Sequence, residues 1–231
     1  MSGIVGSKFN IRGSGLVGSL GTDGQHFLSS GAGKTNVFET VTAAGGAWNK
    51  IKTLTASSSA TLSFVNGTSD VVFDGTYDYY VFVWTSIHAQ TNSQNFSFQF
   101  SIDTGSNYNT NILSNYHVCY VDGGASDHTL ETKTGNQDGT GFQRLTSDQD
   151  ADVATSTSSG TLQVWDPGST TFWKHFISEQ AVGGALGVTD YQLYTKAVGR
   201  SETTSAIDAI QFKMSSGNVD AGKISMYGIT N

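Results

Sequence analysis

The chain is poor in residues that build disulfide frameworks, metal clusters and strongly charged surfaces. Its 231 residues include one cysteine, Cys119, and one proline, Pro167. A single cysteine excludes a disulfide within the chain and a thiolate metal cluster. Charged residues make up only 13% of the chain, well below the roughly 25% of an average soluble protein. Polarity must therefore come from uncharged side chains and from the backbone.

Positive charge and long apolar runs are also scarce, and this limits the classes of partner. The formal net charge is −7, whereas a nonspecific nucleic-acid binder needs a basic surface for phosphate. No stretch approaches the roughly 20 apolar residues of a membrane helix. The first residues lack the apolar core and cleavage site of a Sec signal. We expect no nucleic-acid partner, no membrane insertion and synthesis without a signal peptide.

Ser, Thr, Asn, Gln, aromatic residues and 28 glycines dominate instead, and they favour sheets and turns. From Trp48 onward, apolar and polar residues alternate with the two-residue period of half-buried strands. No segment has the pattern of a helix long enough for a βαβ crossover. The sequence predicts an all-β fold, an antiparallel β-sandwich resembling a jelly roll, over residues 47–231.

Two strand patterns define the expected core. Phe96, Phe98, Phe100 and Ile102 share one face of a strand, and the polar residues between them are expected to face water. The segment 79–84 is apolar on both faces, which is typical of a strand in the centre of a sandwich or under a neighbouring subunit. Trp84 is expected to lie in the core.

Two hairpins are predicted from alternating strands joined by turn-forming residues. In the last 27 residues, strands around Ile210–Met214 and Lys223–Gly228 flank the loop SSGNVDAG. In the second hairpin, the strands flank the turn D-P-G, where Pro167 fixes its own φ and Gly168 is expected to adopt a positive φ.

Residues 1–46 differ from the rest of the chain, since they are dense in glycine and end in the flexible joint TAAGG. The segment around His26–Leu28 and Val37–Val41 has a strand–turn–strand character. A ribbon this small cannot bury enough apolar surface to fold alone. The sequence therefore predicts an extended attachment or assembly arm that lies against the main domain, a symmetry mate or another protein.

Two glycine motifs resemble phosphate-binding loops, but their context does not. GSGLVG at 13–18 matches G-x-G-x-x-G, and GAGKT at 31–35 resembles the end of a P-loop. Both motifs need a helix whose N-terminus points at the phosphate, and no helical pattern follows either one. We interpret both as turns and predict no cofactor.

Several residues could carry chemistry, and each has a simpler structural interpretation. The spacing of Asp148, Asp150 and Asp152 suits a cation site, but the remaining ligands of a Ca²⁺ loop are absent, so we predict a solvated acidic loop. Cys119 lies in the apolar run YHVCYV, which indicates a buried thiol. The five histidines, His26, His88, His117, His128 and His175, have no metal-ligand spacing. We predict no catalytic and no metal-binding residues.

Aromatic residues are the remaining candidates for ligand contact. Trp165 and Trp173 flank the D-P-G turn, so one of them is expected to be exposed. An exposed indole at a loop can stack on a sugar, while packing within the domain is the alternative interpretation.

Both ends of the chain resemble virion proteins of tailed bacteriophages, notably tail fibres and minor structural proteins of marine phages. The N-terminal resemblance lies in GTDGQHFLSSGAG at 21–33. The C-terminal end resembles the pattern F-x-x-S-S-G-N-x-x-x-G-x-x-x-L-Y-G-I from Phe212 to Ile229, with Met226 in place of leucine. The middle of the chain matches only in its strand and aromatic pattern.

This resemblance implies a non-enzymatic structural protein of the virion, β-rich and oligomeric, often a trimer, without cofactors. A tail-fibre or receptor-binding protein is the first expectation, with a host surface glycan as a candidate ligand. A capsid decoration protein is the alternative, and a carbohydrate-active enzyme is a third. In either virion role, residues 3–41 are expected to dock on tail or capsid subunits. The protein would be made in the host cytoplasm and carried in the virion.

Overall fold

The computed structural model describes residues 26–28, 37–39, 47–124, 128–133, 138–184 and 191–229. The chain comprises two compact units, Met1–Gly46 and Ala47–Asn231. In the first unit, the described backbone forms two short antiparallel strands, β1 (His26–Leu28) and β2 (Val37–Glu39). This confirms the predicted strand pairing. The glycine motifs at 13–18 and 31–35 and the TAAGG joint lie outside the described residues.

The described part of the second unit consists of strands and loops, without a helix. Its strands are, in chain order, β3 (Asn49–Thr55), β4 (Leu62–Val65), β5 (Tyr79–Ala89), β6 (Phe96–Ser101), β7 (Ile112–Asp122), β8 (His128–Lys133), β9 (Asp138–Gly139), β10 (Gln143–Arg144), β11 (Thr157–Trp165), β12 (Lys174–Gly183), β13 (Tyr191–Ser201), β14 (Ala209–Met214) and β15 (Val219–Ile229). They form a four-stranded sheet, β10-β6-β14-β4, and a nine-stranded sheet, β3-β15-β5-β11-β12-β13-β7-β8 with β9 beside β7. The two antiparallel sheets pack against each other, which confirms the predicted β-sandwich.

Eight of these strands follow a jelly-roll-like order. Among β3, β4, β5, β6, β10, β11, β14 and β15, the first strand pairs with the last and the second with the seventh. The third pairs with the sixth, and the fourth with the fifth. In such a nested order, the paired strands form one long hairpin that folds over into two facing sheets.

The other strands widen one edge of the large sheet. β7, β8 and β9 lie between β6 and β10 in the chain, and β12 and β13 lie between β11 and β14. They continue the large sheet from β11 through β12, β13 and β7 to β8. The extension gives the large sheet a broad outer face, and this face carries the candidate site described below.

Aromatic rings from both sheets fill the space between them. Phe98 of the small sheet lies 5.1 Å from Phe176 of the large sheet, measured between ring centroids in an edge-to-face arrangement. Phe96 stacks on Phe212, and Trp84 packs edge-on against Phe96. Trp84 is buried, as predicted. Edge-to-face contacts of this kind add to the stabilisation that burial alone provides.

The predicted C-terminal hairpin is wrong, although both of its strands are present. β14 pairs with β4 and β6 in the small sheet, whereas β15 pairs with β3 and β5 in the large sheet. The intervening residues 215–218 therefore cross from one sheet to the other. Alternation identifies a strand and its buried face, but the choice of partner depends on the nested pairing of the whole sandwich.

The polar face predicted for β6 is also buried. Ser97, Gln99 and Ser101 are as inaccessible as the phenylalanines between them, because loops cover that side of the small sheet. The side-chain amide of Gln99 donates to the carbonyls of Thr110, Thr140 and Gly141 at 3.1, 3.1 and 2.7 Å. These hydrogen bonds replace those that the buried amide would otherwise form with water. The strand ends at Ser101, and Ile102 is exposed.

The D-P-G hairpin is confirmed, with a different turn geometry. β11 pairs with β12 so that Val164 lies opposite Phe176. The residue with positive φ is Asp166, at 46°, whereas Gly168 lies outside the left-handed region. Gly168 is needed for a close approach, since a Cβ there would lie 2.8 Å from the Cα of Gly75. The turn thereby packs against the loop before β5.

An aromatic groove as candidate binding site

A groove opens on the outer face of the large sheet, where the loop between β11 and β12 projects beyond the strands. We call it the aromatic groove. Its main compartment, of about 580 Å³, is lined by Trp165, Asp166, Thr171, Phe172, Trp173 and His175. A side compartment of about 340 Å³ is lined by Leu113, Ser114, Asn115, His175, Val198, Gly199 and Arg200. His175 borders both compartments, so they lie side by side.

Hydrogen bonds fix the loop that carries the aromatic rings. The N–H of Ser169 donates to the carbonyl of Asp166 at 3.1 Å and closes a turn. The hydroxyl of Ser169 accepts the N–H groups of Thr171 and Phe172 at 3.2 and 3.0 Å. The carbonyl of Pro167 accepts the N–H of Ile207 at 2.9 Å. A loop held in this way presents its side chains with little ordering cost on binding.

Three aromatic side chains form the floor and wall of the main compartment. Phe172 is 67% exposed and Trp173 is 46% exposed. Trp165 is half-buried and stacks on Tyr79, with 6.2 Å between the ring centroids. The prediction that Trp165 or Trp173 is exposed is thus confirmed for Trp173. Exposed large aromatic rings on a fixed loop are typical of a contact surface for another molecule.

A chain of polar contacts supports Trp173 from the side compartment. The Arg200 guanidinium lies over the Trp173 ring, 4.5 Å from its centroid. Its Nε and Nη2 donate to Glu202 Oε1 at 3.2 and 2.8 Å. Asn111 Nδ2 donates to Glu202 Oε2 at 3.0 Å, and the Glu202 N–H donates to the Asn111 carbonyl at 2.8 Å. Each contact fixes the next, so the Trp173 ring is held in place.

Lys174 ties the base of the hairpin to the chain leading into β14. Its side chain is buried on the inner face of β12, and Nζ donates to the carbonyls of Thr203 and Ser205 at 3.1 and 2.7 Å. Burial lowers the pKa of Lys174 from its usual 10.5, and the nearby Asp166 carboxylate opposes that shift. The ammonium points away from the groove and offers it no donor.

The three spaced aspartates do not converge on a common point. Asp148 pairs with Arg144 at 2.7 Å. Asp150 is buried and accepts the N–H of Ser93 at 3.0 Å, and Asp152 accepts a hydrogen bond from Asn92. Within the described ranges, no group of His, Cys, Asp and Glu side chains could hold a metal ion. The loop is therefore only partly solvated, in contrast to the prediction, because Asp150 is buried.

Cys119 and the histidines occupy separate places. Cys119 is exposed, which corrects the predicted buried thiol: it lies on the outer face of β7, where nothing described covers it. His88 lies 3.5 Å from Asp220, and His117 contacts the Thr132 hydroxyl at 3.2 Å. His128 is exposed on β8, and His175 borders the groove. The side chain of His26 is outside the described part of the structure.

Sequence patterns did not reveal two residues that line the groove, Phe172 and Arg200, or the residue that supports Arg200, Glu202. Phe172 lies in the loop after the D-P-G turn, and the second strand of that hairpin begins only at Lys174. Arg200 and Glu202 carry no motif. Arg200 lines the groove only because β13 pairs with β12 and β7, and Glu202 follows directly after β13. The consecutive large rings of Phe172 and Trp173 were the available signal, since two successive strand residues cannot face the same core.

Comparison of the chain with protein-family models, curated proteins and solved structures found no significant match. Among the residues described, none form a helix of the length and apolar character needed to cross a membrane.

Proposed function

We propose that the chain is a non-enzymatic structural protein of a bacteriophage virion, of the tail-fibre or receptor-binding type, whose sandwich binds a host surface glycan. The observation that carries the proposal is the aromatic groove, with Phe172 and Trp173 exposed on a fixed loop. The virion assignment itself is supported by the resemblance of both chain ends to phage virion proteins.

The groove has the chemistry that a sugar ring requires. One face of a pyranose presents C–H groups, which pack on aromatic rings, while its edge presents hydroxyls that need hydrogen-bond partners. Phe172 and Trp173 supply the rings, and the side chains of Asn115 and His175 add polar atoms to the lining of the groove. Binding sites for small ligands commonly have volumes of about 300–1,000 Å³ and combine apolar walls with a few polar groups. Both compartments match that description.

The architecture is compatible with this role. Jelly-roll sandwiches occur in viral capsid proteins and in lectins, although a fold alone does not determine a function. Of the two virion roles expected from the sequence, the groove favours receptor binding, because a capsid decoration protein has no need of an open groove lined with aromatic rings. In this proposal, residues 3–41 attach the protein to other virion subunits, and the protein assembles as a homo-oligomer such as a trimer.

The test compares two exposed tryptophans on the same sheet. Trp48 is 53% exposed at the opposite edge of the large sheet, next to Tyr227, and it lies outside the groove. We expect Trp173→Ala to weaken binding to a panel of oligosaccharides by about tenfold or more, and Trp48→Ala to have no effect. Isothermal titration with both variants measures this difference. Equal affinities for the two variants, or no binding of any sugar by the parent protein, would contradict the proposal.

A further inference from the structure

We propose that Glu202 makes the aromatic groove selective for uncharged sugars, because it neutralises Arg200, the one Lys or Arg side chain among the described residues that line the two compartments. This inference rests on the proposed function. It concerns the class of glycan that is bound and names Glu202 as a specificity-determining residue outside the lining of the groove.

The geometry of the pair leaves Arg200 little capacity for an acidic ligand. Two of its nitrogens donate to Glu202 Oε1, and its guanidinium plane lies over the Trp173 ring. Recognition of a ligand carboxylate by arginine normally uses a free fork of parallel N–H donors. Part of that fork is directed at Glu202, and the carboxylate of Glu202 cancels the attraction that an acidic sugar would feel.

The position of Glu202 is itself fixed by hydrogen bonds to a residue other than Arg200. Asn111 binds it through both the side chain and the backbone, so the carboxylate cannot easily turn away when a ligand arrives. The side chains of Arg200 and Glu202 are 33% and 25% exposed, and a partly buried pair is less screened by salt than a surface pair.

The remaining charges around the groove also disfavour an anion. Asp166 lines the main compartment and adds negative charge. Lys174 lies beneath Asp166, but its Nζ donates to the carbonyls of Thr203 and Ser205 on the inner side of the sheet. A neutral pyranose needs no compensating charge, and it keeps the aromatic contacts and the hydrogen bonds to Asn115 and His175.

The experiment changes the charge of Glu202 and compares neutral with acidic sugars on the full-length protein. The neutral probes are lactose, cellotriose, maltotriose and tri-N-acetylchitotriose, and the acidic probes are 3′-sialyllactose and trigalacturonate. We expect the parent protein to bind at least one neutral probe more tightly than both acidic probes. In Glu202→Gln, the affinity for an acidic probe should rise by about tenfold, the value of a hydrogen bond to a charged group, while neutral binding changes little.

Glu179→Gln is the matched control, since Glu179 forms an ion pair with Lys196 at 2.6 Å on the same outer face but does not line the groove. It changes the net charge identically and should leave the selectivity unaltered. Adding Arg200→Gln to Glu202→Gln should remove the gain for acidic probes. If Glu202→Gln does not fold, Asn111→Ala, which releases Glu202, should shift the selectivity in the same direction.

The outcomes separate the two proposals. If neutral probes bind in a manner that depends on Trp173, but Glu202→Gln leaves the ratio of acidic to neutral binding unchanged, the role of Glu202 is overturned and the glycan site stands. Preferential binding of an acidic probe by the parent protein overturns the inference in the same way. If no probe binds to the parent protein, the proposed glycan function fails, and the inference fails with it.

Discussion

Phe98 connects the two sheets through a single ring. It is fully buried, contacts Phe100 and Phe176 with centroids 5.1 Å away, and lies beside Phe212. We expect Phe98→Ala to lower the free energy of unfolding by about 3–5 kcal/mol, and Phe98→Asp to abolish folding because its charge would be desolvated without a partner. Urea unfolding followed by tryptophan fluorescence measures the loss, with Phe172→Ala as an exposed control. A Phe98→Asp variant that melts like the parent would show that this core is wrongly assigned.

The buried hydroxyl of Tyr80 makes the stability of the fold decrease at alkaline pH. Burial, reinforced by the nearby Asp74 carboxylate, raises the pKa of Tyr80 from 10.0 to about 12. A raised pKa in the folded state means that this contribution to stability is complete below pH 10 and is lost as the pH rises through 12. Tyr80→Phe has no ionisable group at this position, so it should lose less stability between pH 10 and 12. Thermal melts across that range test this; identical pH profiles would contradict it.

Single positions show how far burial can be inferred from residue type alone. Trp84 was predicted to be buried and is, whereas Cys119 was predicted to be buried and is exposed. Both lie in apolar runs. The difference is that Trp84 faces the opposing sheet, while Cys119 lies on the outer face of the extension, opposite Tyr194 and Leu130. Which face of a doubly apolar strand meets the core depends on the layer that covers it, and the strand's own sequence does not encode that layer.

At the level of elements, period-two alternation located strands well and assigned partners poorly. The strand predicted over 96–100 coincides with β6, and the β11–β12 hairpin is correct because a tight turn restricts the choice of partner. β14 and β15 are also separated by a short loop, yet they lie in different sheets. Nested pairing joins strands that are far apart in the chain, so it leaves no local signal.

A cross-strand disulfide tests the pairing of β15 with β3. Thr53 and Ser225 lie directly opposite each other, and their hydroxyl oxygens are 2.8 Å apart. In a Cys119→Ser background, we expect Thr53→Cys with Ser225→Cys to form a disulfide within the chain, since adjacent cross-strand positions bring Cβ atoms within reach. Non-reducing electrophoresis and thiol titration measure its formation. Thiols that stay free under oxidising conditions would contradict the pairing of β15 with β3. Pairing Thr53→Cys with Lys213→Cys of β14 serves as the control that should remain reduced.

For the whole molecule, composition and patterning were enough to predict an all-β sandwich, but they predicted little of the candidate site. The groove draws on residues from β7, β11, β12, β13 and the 166–173 loop, which are brought together by the extension of the large sheet. Only the aromatic residues beside the D-P-G turn were recognised in advance, because a turn places its flanking residues at the surface. Asn111, Arg200 and Glu202 are distant or unremarkable in sequence, and their cooperation depends on strand register.

The last prediction is that the two units of the chain have separate roles, attachment for residues 1–46 and ligand binding for residues 47–231. The boundary between Gly46 and Ala47 precedes β3, which begins at Asn49, so deletion of residues 1–46 leaves every strand of the sandwich intact. We expect the truncated protein to remain folded, since its core is built within 47–231, and to retain the binding properties of the groove. It should fail to join phage particles, because burying the apolar surface of the arm contributes stability, about 25 cal/mol per Å², only when another subunit covers that surface.

Circular dichroism dominated by β-structure would establish the fold, and particle incorporation would be measured by complementation of a phage lacking the protein. Normal incorporation of the truncated protein would refute the attachment role of the arm. Loss of folding would show instead that the arm packs on its own domain.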